Sequence, residues 1–488
     1  MTRRAVVVGA GFGGLSAACH LAGSGWDVEV VERLDRPGGR AGRRERNGFR
    51  FDTGPTVLTM PDLLADVFAA AGTSLDDHLH LTRLDPAYRA CFADGSELRV
   101  RADRADMAAE VARVCGPDEA GRFERYADWL GRLYRLEQPA FLGRNYDHVT
   151  DLVRPLGPAL ALVRLGALRR LDRVVARAFR DDRLRRLFSF QALYAGLAPH
   201  QALGVLAVIG YMDVVAGVWA ARGGVHAVAT ALADAVVKAG GRVRYGTAVD
   251  EVVLAGGDRG PVRGVRVGGE VLSADAVVVN ADLPAAYGLV PGLRPPARLR
   301  RARWSPSAVV WHAGVRGHPG PGAAHHNIHF GREWEGAFAA LADGRRMPDP
   351  SLLVSVPTLT EPELAPPGCS VLYALEPVPN LTGGLDWSQA RARVRDDLAA
   401  AAGRLGYPVD VVDEAVVDPV DWARQGLAAG TPFSLSHRFT QSGPFRPRNV
   451  DDRAPGLVFV GTGTVPGVGV PMVLLSGKLA AERLGPGS

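Results

Sequence analysis

The stretch that most restricts what this chain can fold into is VVVGAGFGGLSAACHLA, Val6 to Ala22. A β-branched run breaks into Gly9, Gly11 and Gly14 in GxGxxG register, and an Ala- and Leu-rich helical run follows. Gly9 permits the tight turn, Gly11 lets a pyrophosphate approach the backbone at the helix N-terminus, and Gly14 lets helix and strand pack closely. Glu32 ends the next predicted strand, Val28 to Val31, where a carboxylate can accept both hydroxyls of a ribose. The glycine triplet alone is weak evidence. Strand, helix and acid together specify a dinucleotide site, to which Ala10, Gly13 and Arg33 also belong.

Two further blocks share this α/β character. From Gly223 to Asp282 run a predicted helix HAVATALADAVVKAG, a strand RVRYGTAVDEVV, a hairpin through GGDRGPVRGVRV, and the apolar strand Ala276 to Val279. The third block is Leu457 to Leu484: a strand to Val460, a glycine turn with Gly461, Thr462 and Gly463, and a helix with Val470, Pro471 and Met472 in its first turn. With 488 residues the chain exceeds one hydrophobic core. The expected fold class is α/β, with a discontinuous Rossmann-like domain from residues 1–85, 215–285 and 440–488. An α+β lobe would comprise residues 86–214 and 286–439.

Four scattered cysteines without a CxxC pair suggest neither a zinc site nor a disulfide framework, and the N-terminus lacks the pattern of a signal peptide, so a cytoplasmic location is expected. Only Lys238 and Lys478 are lysines, so the net charge of +5 is carried by arginine and implies no nucleic-acid partner. Ten arginines fall between Arg154 and Arg186. There Leu168, Leu171, Val175 and Phe179 lie at helical spacing, which fits a basic amphipathic helix on an anionic membrane surface or a solvated helix packed on the core. The apolar run Ala202 to Ala221 is interrupted by Asp213 and by glycines, and reads as a buried helix rather than a membrane span.

RPGGR at Arg36 to Arg40 and FDTGPT at Phe51 to Thr56 resemble the extended signature of flavin amine oxidases and carotenoid desaturases. FSFQALYAG, GVWAARGG, NAD at Asn280 to Asp282, AHHNIHF, GTPFSLSHRFTQSGPFRPRN and the C-terminal glycines follow in order, and almost the whole chain is similar to the bacterial-type phytoene desaturases. The resemblance implies FAD as cofactor, with Gly39, Arg40, Thr56 and Val249 beside it. It also implies an apolar tunnel, a phytoene-like polyene drawn from a membrane surface, and oxygen or a quinone as electron acceptor. Relatives often read GAGTHPGAGxPG at the C-terminal turn, where this chain has Thr462, Val465 and Met472. Those departures bear on substrate choice if Val465 and Met472 lie near the flavin ring.

No side chain can accept a hydride, so the flavin would do so, and the protein is left with orientation, water exclusion and the proton. Asp151 and Glu376 are the candidate proton acceptors, each of which could equally be a satisfied structural carboxylate. His325, His326 and His329 do not form a closed set of ligands on a strand, and no metal is expected. Other carotenoid-pathway desaturases, acting on hydroxycarotenoids or dehydrosqualene, would share these motifs. A prenyl-lipid carrier of the GDP-dissociation-inhibitor type would share the fold without the flavin chemistry.

Overall fold

A computed structural model describes residues 2–154 and 156–487. Its first sheet is parallel and five-stranded, in the order Leu457–Phe459, Ala276–Val279, Arg4–Val8, Asp27–Val31, Arg242–Arg244. Chain segments hundreds of residues apart thus become neighbours, with Val7 opposite Val278 and Val278 opposite Val458. The strands are apolar because both faces are covered. Ala5 and Val7 pack toward the helices Phe12–Gly23, Val225–Lys238 and Val470–Leu484, while Val6 and Val8 pack toward the antiparallel meander Glu251–Leu254, Val262–Val267, Glu270–Ser273.

The second sheet has seven strands, in the order Asp410–Val417, Ser307–Arg316, Cys369–Val378, Leu352–Ser355, His326–His329, Tyr88–Cys91, Glu97–Val100. The helix Trp387–Arg404 packs on it through Trp387, Val394, Leu398 and Ala402. Another core surrounds the helix Pro117–Glu137 and takes in Leu171, Val175, Phe179, Met212 and Ile328.

Three expectations are corrected. RVRYGTAVDEVV is two strands, Arg242–Arg244 in the parallel sheet and Glu251–Leu254 in the meander, separated where Gly246 takes φ +62°. Ala202 to Ala221 is no single helix. It runs through 3₁₀, α and π turns from Gly204 to Ala216, then the strand Trp219–Ala221, because Gly217 at φ +112° admits no further helical residue. The basic segment is three short helices, Leu156–Arg164, Leu171–Ala178 and Asp182–Leu187, broken at Gly166 (φ +74°) and at the extended Phe179; Pro155 lies outside the described residues. Leu171, Val175 and Phe179 are buried core residues, and only Leu168 of the expected face is exposed.

Candidate active site

The N-terminal glycine turn closes around one side chain from another strand. Asn280, just past Ala276–Val279, is placed so that its amide oxygen accepts from Gly11 N at 3.1 Å and Gly14 N at 3.3 Å. A Cβ on Gly14 would stand 2.2 Å from the Gly9 carbonyl oxygen, and one on Gly11 would stand 2.6 Å from the Asn280 amide. Glu32 Oε2 accepts from Ala10 N at 2.7 Å and Oε1 from Leu34 N at 2.9 Å, so the acid is held against the turn. In sequence Asn280 stands out only as part of NAD at Asn280 to Asp282; its work in the turn depends on a strand pairing that one sequence does not reveal.

The RPGGR loop docks on this turn through Gly38 N, which donates to the Ala10 carbonyl at 2.8 Å. Asp52 accepts from Val225 N and His226 N at 2.6 and 3.1 Å, capping the helix Val225–Lys238 and tying two of the α/β blocks together. Burial pushes its carboxyl up to about 6 against these backbone donors.

The C-terminal turn supplies the opposite wall. Arg446, fully buried, donates to the carbonyls of Thr462 at 2.5 Å and Thr464 at 2.9 Å, and also to those of Gln441 and Leu435. Ser476 Oγ accepts from Gly461 N at 2.9 Å, and Ser16 Oγ donates to the Leu474 carbonyl at 2.7 Å. The helix Val470–Leu484 lies so close to Phe12–Gly23 that a Cβ on Gly477 would stand 2.6 Å from Ala17 N and 2.7 Å from the Gly13 carbonyl oxygen. The two glycine turns thus form one structure.

Between the sheets lies a cavity of about 1090 Å³. Gly9, Gly11, Glu32, Arg33, Gly39, Arg40, Thr56, Val249, Gly461, Thr462, Val470, Pro471 and Met472 line it. Ala10, Gly13, Gly14 and Gly463 stand behind the wall; a Cβ on Gly463 would meet Leu283 at 2.6 Å, so its task is packing. Val465 is buried and off the wall, so of the two departures expected near the ring only Met472 reaches the cavity. Arg40 donates to the Pro432 carbonyl and to Thr462 Oγ1, and the charge that bears on it is the Asp282 carboxylate, also on the cavity wall. The Arg40 guanidinium, the N-terminus of Phe12–Gly23 and an acid at the end of the next strand fit the pyrophosphate and ribose of a flavin dinucleotide. The remaining wall is apolar, with Ile209, Met212, Ile328, Phe330, Trp334 and Phe338.

Neither expected proton acceptor lines this cavity. Asp151 accepts from Asp147 N and His148 N, both at 2.9 Å, in the surface turn Val149–Leu152, and those donors hold its carboxyl below the ordinary aspartate range. Glu376 is buried in a two-bond pair with Arg346 at 2.6 and 2.8 Å, facing away from the cavity lining. The acid that does reach the apolar wall is Asp213, 4% exposed, in the π turn Tyr211–Ala216. Sequence reading met it only as an interruption of an apolar run, although a charge at such a place is itself a signal.

The histidines are engaged in the second sheet. His325 Nδ1 meets Thr360 Oγ1 at 2.7 Å, His326 Nδ1 meets Ser355 Oγ at 2.8 Å, and His329 Nε2 meets Tyr407 OH at 2.9 Å. Burial lowers the pKa of all three, with His325 and His329 brought to about 4, so they are neutral near pH 7.

Comparison with known proteins agrees with this geometry. Residues 12–485 match the family described as flavin containing amine oxidoreductase. The chain is 50% identical to phytoene dehydrogenase of Streptomyces griseus, over 98% of this chain and 94% of that one. It is 40% identical to the zeta-carotene-forming phytoene desaturase of Myxococcus xanthus, over 99% and 94%. Among solved structures, cyclohexylamine oxidase from Brevibacterium oxydans IH-35A shares the fold with a TM-score of 0.59 at 18% identity, covering 99% of this chain and 100% of that one. The chain therefore belongs to the flavin containing amine oxidoreductase family, within its phytoene desaturase branch, and is an FAD-dependent oxidoreductase.

Proposed function

We propose that this chain is a carotenoid desaturase that introduces double bonds into phytoene or a close C40 relative. The observation that carries this reading is the continuity of the dinucleotide wall with an apolar wall in one cavity, which suits a long hydrocarbon laid against a flavin. FAD supplies hydride acceptance when bound. Arg40 and the first turn of Phe12–Gly23 hold its phosphates, Glu32 its ribose, and Gly461, Thr462 and the helix opening at Val470 cover its other end. Residues 1–85, 215–285 and 440–488 act as the cofactor domain and the remainder as the substrate lobe. Phe190, Ile209, Phe330 and Trp334 exclude water and align the allylic C–H bond, which is where entropy and desolvation favour reaction. Oxygen or a quinone is the final electron acceptor.

Among the described residues no helix is long and apolar enough to cross a membrane. The lipid contact we assign is peripheral and cytoplasmic, and differs from the face expected from sequence. On Leu156–Arg164, Leu156, Leu160 and Val163 share one face and are 64%, 46% and 55% exposed. In the flanking turns Val149, Val153 and Leu168 are exposed too, and along the same stretch so are Arg154, Arg164 and Arg169. The cavity wall reaches Leu142, just ahead of that segment. An apolar patch fringed by arginine fits an anionic bilayer carrying a dissolved polyene.

The test is reconstitution of the FAD-loaded protein with liposomes containing phytoene, dehydrosqualene or a hydroxycarotenoid, followed by chromatography. Phytoene is expected to yield longer conjugated polyenes. Conversion of only one of the other substrates would replace phytoene with that substrate, and conversion of none would remove the desaturase reading.

A further inference from the structure

We propose that Asp213 is the proton acceptor of the desaturation, an assignment that rests on the function above and names the base that function requires. Among the described residues five carboxyl groups line the cavity: Glu32, Asp35, Asp213, Asp282 and Glu333. Glu32 is held by the amides of Ala10 and Leu34, Asp282 accepts from Ala428 N at 3.0 Å, and Asp35 and Glu333 are exposed to water. Asp213 alone is buried among the apolar lining, beside Ile209 and Met212. Its Oδ2 has no hydrogen-bond partner, nor has the nearby Tyr88 hydroxyl. Glu137 is equally buried and has an unpartnered Oε1, but it does not line the cavity, and burial pushes its carboxyl well above the ordinary glutamate range.

The surroundings of Asp213 are built for a carboxyl that changes charge. The π turn inserts a residue into the helical path, which re-aims a side chain and is a recurrent feature of functional sites. The titratable groups that bear on it are two neutral phenols, Tyr88 from the strand Tyr88–Cys91 and Tyr194 from the turn after Phe190–Leu193. Behind Tyr88, at a ring distance of 5.6 Å, stands His326, which burial keeps neutral. Among the described residues no cation pulls the aspartate down. Burial pushes its carboxyl up to about 7, with the Tyr88 hydroxyl acting the other way without reaching hydrogen-bond geometry. A base is most effective when its pKa lies near the working pH.

In the step proposed, a –CH₂–CH₂– unit between double bonds gives up a hydride, with its electron pair, from one carbon to FAD. The adjacent carbon releases a proton to an Asp213 carboxylate oxygen, and the electron pair of that C–H bond becomes the new C=C bond. Asp213 is then a neutral acid, which returns its proton to solvent before the next turnover. Two hydrogens leave the substrate and two electrons pass to FAD.

The test is anaerobic single turnover of the FAD-loaded protein on phytoene liposomes, followed by flavin bleaching from about pH 5 to pH 9. In the wild type the rate is expected to rise through about pH 7. D213N is expected to be slower by about 100-fold or more at alkaline pH, with FAD content and liposome binding unchanged, and to lose the pH rise. D213E is expected to keep the rise and stay within about tenfold of wild type. Bleaching of D213N within about threefold of wild type, or a flat wild-type profile, would overturn the assignment. If D213N fails to retain FAD, the wild-type and D213E profiles decide alone. A wild type that holds FAD and bleaches with no polyene would instead sink the functional reading, so the two failures are distinguishable.

Discussion

At the scale of single residues, the side chains that matter most are those whose charge is buried. Arg446 satisfies four carbonyls that have turned away from water, so Arg446→Leu leaves them unmade at a cost of about 1–3 kcal/mol for each that stays dry. The expected outcome is a lowered melting temperature together with loss of FAD at wild-type loading concentrations, checked by thermal unfolding and by the flavin-to-protein absorbance ratio. Asp213 carries the opposite kind of consequence. Its folded pKa, about 7, lies above the unfolded aspartate value, so the folded state binds more protons between the two. Its contribution is complete below the unfolded pKa and is lost as pH rises through about 7. Asp213→Asn should therefore raise the melting temperature at alkaline pH, by up to about 4 kcal/mol of stability, and change little near pH 4. Equal melting temperatures of the two proteins at about pH 9 would contradict this.

At the scale of elements, the turns and helices carry the site through close approach. Gly14→Ala places a methyl 2.2 Å from a backbone carbonyl oxygen that cannot yield, and Gly477→Ala forces apart the two helices whose N-termini line the cavity. Both are expected to reduce FAD binding by more than about tenfold, read by flavin titration of the purified variants, while a control at Gly240, where a Cβ meets nothing, stays soluble and flavin-loaded if its positive φ is kept by asparagine. The surface helix supplies a separate test. Leu156→Glu with Leu160→Glu and Val163→Glu should abolish co-sedimentation with anionic liposomes and leave FAD content unchanged. These elements differ in how far sequence betrays them. The glycine turn, Glu32 and the helix at Val470 were legible because each bears a local pattern tied to backbone geometry. The helix face stayed open in sequence between lipid and core; Leu171 and Val175 share the helix Leu171–Ala178 and, with Phe179 at its extended end, turn inward. Only tertiary packing decides which apolar stripe is core.

At the scale of the whole molecule, the cavity exists because strands from three distant segments assemble one parallel sheet and seven others assemble a second sheet facing it. The discontinuous sheet could be inferred, since repeated α/β patterns need partners, and the family resemblance extended that inference over the full chain. The active carboxylate could not. Sequence offers Asp151 and Glu376 as candidates without a spatial reason, whereas what distinguishes Asp213 is which groups surround it in space, namely two phenols and, among the described residues, no cation. The central claim is that one cavity holds FAD against a long polyene. The most direct measurement is the visible spectrum of the FAD-loaded protein after incubation with phytoene liposomes under air or with an added quinone. The expected result is growth of the multi-peaked absorption of a lengthened conjugated chain, dependent on bound FAD. A protein that retains its full flavin absorbance, binds the liposomes and produces no such polyene with either acceptor would contradict the account.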